Sequence, residues 1–204
     1  MDAMSHDKQA YFGSLYGSND DPYGVRARWY EQRKRALLMA ALPAPRYARA
    51  YEPGCGVAEL TVGLAGRCDA VLAADFSPDA VRIARDRTAG LGNVVVEQHR
   101  LPDHWPREAC AFDLIVLSEV LYFVAPAAMP ALLQACRASL RPGGTVVACD
   151  WKPDFDERAQ STADVHAALD SLGLARIATH DEADFSLKVW CDDSRSVAER
   201  EGIR

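Results

Sequence analysis

No apolar run in this sequence approaches the roughly 20 residues needed to cross a bilayer. The opening residues, MDAMSHDKQAYFG, lack the basic-then-apolar order of a secretory signal, so a cytoplasmic protein is expected. The six cysteines, Cys55, Cys68, Cys110, Cys136, Cys149 and Cys191, form no CxxC pair and no zinc-like spacing. No metal site is expected, and most of them read as small buried thiols of a reducing compartment. Positive charge is also short. Twenty-three Lys and Arg face 29 Asp and Glu, a formal net charge of -6, which argues against a nucleic-acid partner. Repeats and low-complexity linkers are absent.

What remains is a chain of 204 residues, 49% hydrophobic and 25% charged, the composition of one ordinary globular domain. Between residues 47 and 192 short apolar runs alternate with helical patterns. YARAYEP, AVLAAD, VVVEQHR, FDLIVLSEV and TVVACDW read as strands, separated by helix-like segments such as SPDAVRIARDRTAG and APAAMPALLQACRASL. Near-continuous apolar strands divided by helices predict a parallel sheet covered on both faces. LARIATHDE and FSLKVWCDD lie only a few residues apart, too close for a helical crossover, so an antiparallel strand closes the sheet. Ser77 is placed to cap a helix with Pro78 in its first turn, and Ser161 or Thr162 to cap another. Residues 1–45 read as a lid. Their aromatic, turn-rich start is followed by RARWYEQRKRALLMAAL, an amphipathic helix with Trp29, Leu37 and Leu38 among its apolar positions. The core is expected at 46–192 and a frayed tail at 193–204.

The stretch YEPGCGVAEL carries the functional signal. It sits where the first core strand ends and a helix begins, the edge at which doubly wound sheets bind ligands. A dinucleotide fingerprint needs G-x-G-x-x-G. Gly54 and Gly56 supply two glycines, but Glu59 stands at the third position, and Glu52 lies where a pyrophosphate would be repelled. A ligand with an ammonium group and no phosphate fits better, and S-adenosylmethionine is such a ligand. Asp75 ends the second strand about twenty residues further on and can accept from both ribose hydroxyls. Phe76 and Ser77 follow it, with an aromatic face for adenine.

E-x-G-x-G after the first strand, the acid after the second, FDLIVLSEVLYF as the fourth and LRPGGTVVA into the fifth resemble a class I S-adenosylmethionine-dependent methyltransferase. More narrowly, DPYG, RWYEQRKRALLMAALP, RYARAYEPGCG, LPDHWP and LSEVLYF resemble the nodulation-protein-S-like methyltransferases, which include N-methyltransferases acting on a glucosamine amine of a chitooligosaccharide. The resemblance implies a Rossmann-like three-layer α/β sandwich with a mostly parallel seven-stranded sheet, an antiparallel last strand and an N-terminal helical lid. It implies S-adenosylmethionine as cofactor and S-adenosylhomocysteine as product. Glu52, Gly54 and Gly56 would line the methionine end, Asp75, Phe76 and Ser77 the adenosine, and Ser118 and Glu119 the methyl group. Trp29 would pack on the cofactor and Arg33 would meet its carboxylate. Arg100 stands where many of these enzymes carry an adenine-reading acid, leaving a backbone contact from Leu101, or Asp103.

Methyl transfer needs positioning above all. An amine acceptor must also lose a proton, so Glu119 is the first candidate base, with Tyr122 to orient and Asp150 at the end of the fifth strand beside Trp151. Of the histidines, His166 is the most plausible participant. The expected partner is a small-molecule acceptor, an amine before a hydroxyl or an RNA, and the expected assembly is a monomer or weak homodimer. Two other classes stand against this: a cofactor-binding domain without turnover, and a nicotinamide-dependent oxidoreductase.

Overall fold

The computed structural model describes residues 12–17 and 19–204; residues 1–11 and Ser18 of the expected lid lie outside the described residues. Seven strands form one sheet in the order β3-β2-β1-β4-β5-β7-β6. They are β1 (Tyr47–Pro53), β2 (Cys68–Asp75), β3 (Val94–Gln98), β4 (Phe112–Ser118), β5 (Leu140–Trp151), β6 (Ala175–Asp181) and β7 (Phe185–Cys191). Strands β1 to β5 pair in parallel, while β7 runs antiparallel to both β5 and β6. The expected sandwich with its antiparallel last strand is what forms.

The helices are α1 (12–17), α2 (Trp29–Ala41), α3 (Glu59–Ala65), α4 (Pro78–Thr88), α5 (Met129–Ser139), α6 (Thr162–Asp170) and α7 (Val197–Arg200). Their boundaries follow local chemistry. Ser77 caps α4 by accepting from the Ala80 amide, and Ser161 caps α6 by accepting from Asp164. Alternation along β5 gives each sheet face its own core. Val146 and Ala148 pack with Leu132 of α5 and Val165 of α6. Val147 and Cys149 pack with Leu38 of α2 and Leu60 of α3. Five cysteines are buried and Cys110 is exposed.

The expected tail, residues 193–204, carries the short helix α7. Ser196 and Glu199 form a reciprocal capping box, and Asp193 binds Arg195 and Arg200. The capping signal, Ser-x-x-Glu, was present in the charged run.

Strand order reverses between β1 and β4, since β2 follows β1 on one side and β4 lies on the other. The carboxyl ends of β1, β2, β4 and β5 therefore share one edge, with a crevice at the reversal.

Candidate active site

The turn after β1 is held by backbone. Gly54 has φ +77° and Gly56 φ +53°. A Cβ on Gly54 would lie 2.8 Å from Val120 Cγ2, and one on Gly56 3.2 Å from the Tyr16 hydroxyl. The amides of Gly54 and Cys55 both donate to the Ala74 carbonyl, at 2.7 and 2.9 Å, stitching the turn to β2. Asp75 completes the lock. Its Oδ2 accepts from the Gly56 amide at 3.0 Å and its Oδ1 from the Ser77 amide at 2.9 Å. Burial raises the Asp75 carboxyl above its ordinary range, and these backbone donors oppose the rise. Glu52 is 3% exposed and accepts from the Thr61 hydroxyl at 2.6 Å. Burial pushes its carboxyl up to about 8, against the hydrogen bond from Thr61 and with help from Asp75.

These residues form one end of a cavity of about 720 Å³. Such a volume suits a nucleoside-sized ligand with room for a second molecule, pockets commonly spanning about 300–1,000 Å³. Phe12 and Tyr16 of α1 line it. Phe12 meets both Phe76 and Phe123 edge-on, with ring centroids 5.2 Å apart in each case.

Tyr30, Lys34, Glu119, Tyr122 and Trp151 line the other end. Glu119 has φ +56°, a left-handed conformation that costs a non-glycine residue about 1–3 kcal/mol. Its carboxylate is held by three donors. Oε1 accepts from Lys34 Nζ at 2.6 Å, and Oε2 from the Tyr122 hydroxyl at 2.6 Å and the Trp151 amide at 2.9 Å. Lys34 is 6% exposed, donates also to Glu31 at 3.1 Å, and lies 5.1 Å from the Tyr30 ring centroid. Burial works against its charge, but Glu119 and Glu31 outweigh burial and raise its pKa. The Tyr30 hydroxyl is buried without a hydrogen-bond partner among the described residues, and burial pushes it up to about 12.

The structure brings Glu52, Gly54, Gly56, Asp75, Phe76, Leu101, Ser118, Glu119 and Tyr122 to this cavity, and the remaining expected site residues lie elsewhere. Trp29 is 73% exposed, and Arg33 makes two bonds to Glu182. Leu38 is buried as expected, but the cavity-facing positions one and two turns before it are Lys34 and Tyr30 in place of Arg33 and Trp29, so Tyr30, Lys34 and Leu38 share a face at i, i+4, i+8. That spacing was visible in the sequence; a buried lysine masked it. Asp150 is fully buried, and its Oδ2 lies 2.9 Å from His166 Nε2 behind the cavity wall. Consecutive strand residues face opposite sides, so Trp151 reaches the cavity and Asp150 meets α6. Burial raises Asp150 to about 6, opposed by His166. Ser77 is buried as the cap of α4 and acts on the site through its amide to Asp75. Arg100 is not among the cavity-lining residues, and its backbone amide donates to His104 Nδ1, while His99 beside it lines the cavity.

A family profile described as a methyltransferase domain matches residues 50–144. A solved structure from Pseudomonas syringae, assigned to the methyltransferases without a named substrate, is 43% identical over 80% of this chain and 99% of its own, with a TM-score of 0.71. This chain belongs to the class I S-adenosylmethionine-dependent methyltransferases. Nodulation protein S of Rhizobium tropici is 30% identical over 133 residues, 63% of this chain and 54% of that protein. The N-methyltransferase NodS from Bradyrhizobium japonicum WM9, solved with S-adenosyl-L-homocysteine, shares the fold at 22% identity, covering 90% of this chain and 97% of its own with a TM-score of 0.79. Curated matches also include a Drosophila melanogaster tRNA N(3)-methylcytidine methyltransferase at 30% identity and a Xanthomonas axonopodis ubiquinone biosynthesis O-methyltransferase at 31%. The matches to these three curated relatives span about half to two thirds of the relatives' own lengths.

Proposed function

We propose that this protein transfers a methyl group from S-adenosylmethionine to the amine of a small molecule. The observation that carries the reading is one continuous cavity joining the Glu52–Asp75 turn to the Tyr30–Glu119–Trp151 chamber. The cofactor end fits on its own chemistry. Bare glycine α-carbons leave room for close approach, and among the described residues the buried Glu52 forms no ion pair with a cation. Asp75 uses two of its roughly four acceptor positions internally, leaving the rest for ribose hydroxyls. Glu52 would draw the ammonium, Asp75 the ribose, and Phe76 with Leu101 the adenine. When bound, the cofactor supplies an electrophilic methyl group on a sulfonium.

The chain then has to orient the acceptor, exclude water and keep the attacking atom unprotonated. Tyr30, Tyr122 and Trp151 supply an aromatic wall. Glu31, Glu119, Glu157 and Asp184 line the same cavity, a balance suited to attracting an amine. The Glu119 carboxylate is already engaged by Lys34, Tyr122 and the Trp151 amide. Its role in this reading is to fix the chamber wall, and the amine gives its proton to solvent before closure. Among the described residues no helix is long and apolar enough to cross a membrane.

A tritium-methyl transfer screen tests the reading across amino sugars, a chitooligosaccharide amine, small amines, phenols and small RNAs. Label on an amine is expected. Label on a hydroxyl or on RNA alone would replace the acceptor class, and cofactor binding with no transfer would leave a binding domain.

A further inference from the structure

Lys34 is an odd residue to bury. It lies on α2, facing a cavity that must receive a cation, and it sits between two carboxylates, 2.6 Å from Glu119 and 3.1 Å from Glu31. The Gly54 turn is packed against Val120, the residue that follows Glu119, so a methionine end held by Glu52 and Gly54 lies beside the Glu119 carboxylate. Glu119, Glu31 and Lys34 together carry one net negative charge. Without Lys34 the same wall would carry two.

We infer that Lys34 sets the charge of the methyl-facing wall and thereby fixes how strongly the site prefers the sulfonium cofactor over its thioether product. This rests on the cofactor assignment of the same cavity. The two ligands differ by one methyl group and one positive charge, so a wall charge near the sulfur acts on their difference and leaves their common contacts alone. Methyl transfer removes the sulfonium charge. A doubly negative wall would hold the charged ground state more tightly than the transition state, in which that charge is already dispersing, and would slow transfer. Lys34 limits that ground-state grip while Glu119 keeps enough of it to favour the cofactor. Lys34 is therefore a positioning and specificity residue acting through Glu119.

Calorimetric titration of S-adenosylmethionine and S-adenosylhomocysteine into the full chain tests this without an acceptor. Lys34→Met should raise the ratio of sulfonium to thioether affinity by about three- to tenfold, the range a partly screened neighbouring charge gives. Glu119→Gln, which is isosteric, should lower the ratio by a similar factor. Lys34→Arg should keep it, and the Lys34→Met/Glu119→Gln double variant should return it towards the unmodified value. A purely structural Lys34 would shift both affinities by the same factor, and that result overturns the inference, as does a ratio that moves the same way in both single variants. If Lys34→Met does not fold, the fall in Glu119→Gln and the constancy in Lys34→Arg carry the test alone. Binding of neither ligand to the unmodified protein would overturn the cofactor reading of the cavity and this inference with it. Binding with invariant ratios would overturn only the inference.

Discussion

The glycine turn and the lid helix hold opposite ends of one cavity by different physical means. At the turn the holding groups are backbone amides, stitched to the Ala74 carbonyl and the Asp75 carboxylate, and the side chains matter chiefly for being absent. At α2 they are side chains on one helical face, Tyr30, Lys34 and Leu38, with the charged pair at its centre. A backbone-built end is rigid and sensitive to any added Cβ. A side-chain-built end depends on helix phase, and one residue of rotation exchanges the groups that meet the ligand.

The largest expected effects therefore lie at the turn. Asp75→Ala removes the acceptor of two amides and of the ribose hydroxyls. Lost charge-assisted bonds of about 1.5–3 kcal/mol each should weaken S-adenosylhomocysteine binding at least tenfold, read by calorimetry. An unchanged affinity would remove the ribose assignment. Gly54→Ala comes next. It meets a left-handed φ and a Cβ contact at 2.8 Å, and backbone strain of about 1–3 kcal/mol should lower the melting temperature by several degrees and weaken the ligand as well. If melting were unchanged, the turn would not be under the described constraint.

Glu52 gives a smaller, pH-dependent signature. In the free protein its carboxyl titrates at about 8, so it is protonated below that pH. An ammonium prefers the carboxylate form, so binding expels the proton below pH 8. Affinity should climb as pH rises from 6 towards 8 and then level off, and Glu52→Gln should flatten the slope. A slope of opposite sign would move the ammonium elsewhere. The smallest effects belong to the outer face of α2. Trp29→Ala and Arg33→Ala should change ligand affinity less than threefold and stability by about 0.5 kcal/mol or less, whereas Leu38→Ala should cost about 2–5 kcal/mol. A large loss of affinity in Trp29→Ala would reverse the comparison between the two helix faces.

The same contrast explains what could be read from the chain. Strand runs, caps at Ser77 and Ser161, and the turn from Glu52 to Gly56 are local signals, and each keeps its meaning wherever the element is placed. The inward face of α2 was legible only as a weak periodicity, because its central residue, Lys34, is charged, and its burial depends on Glu119, far away in sequence. Asp150 was misplaced for a related reason: the end of β5 names two adjacent candidates, and only the register of the sheet decides that Trp151 faces the cavity. His99 carried no sequence signal that distinguished it from the other histidines, and it reaches the cavity because it follows β3, whose parallel partner β2 ends at Asp75.

The turn suits a cationic amino-acid cofactor and disfavours a pyrophosphate. Thermal melting of the full chain with S-adenosylhomocysteine and, separately, with NAD distinguishes the two. A rise in melting temperature with S-adenosylhomocysteine and none with NAD is the predicted result; a rise with NAD alone would contradict it.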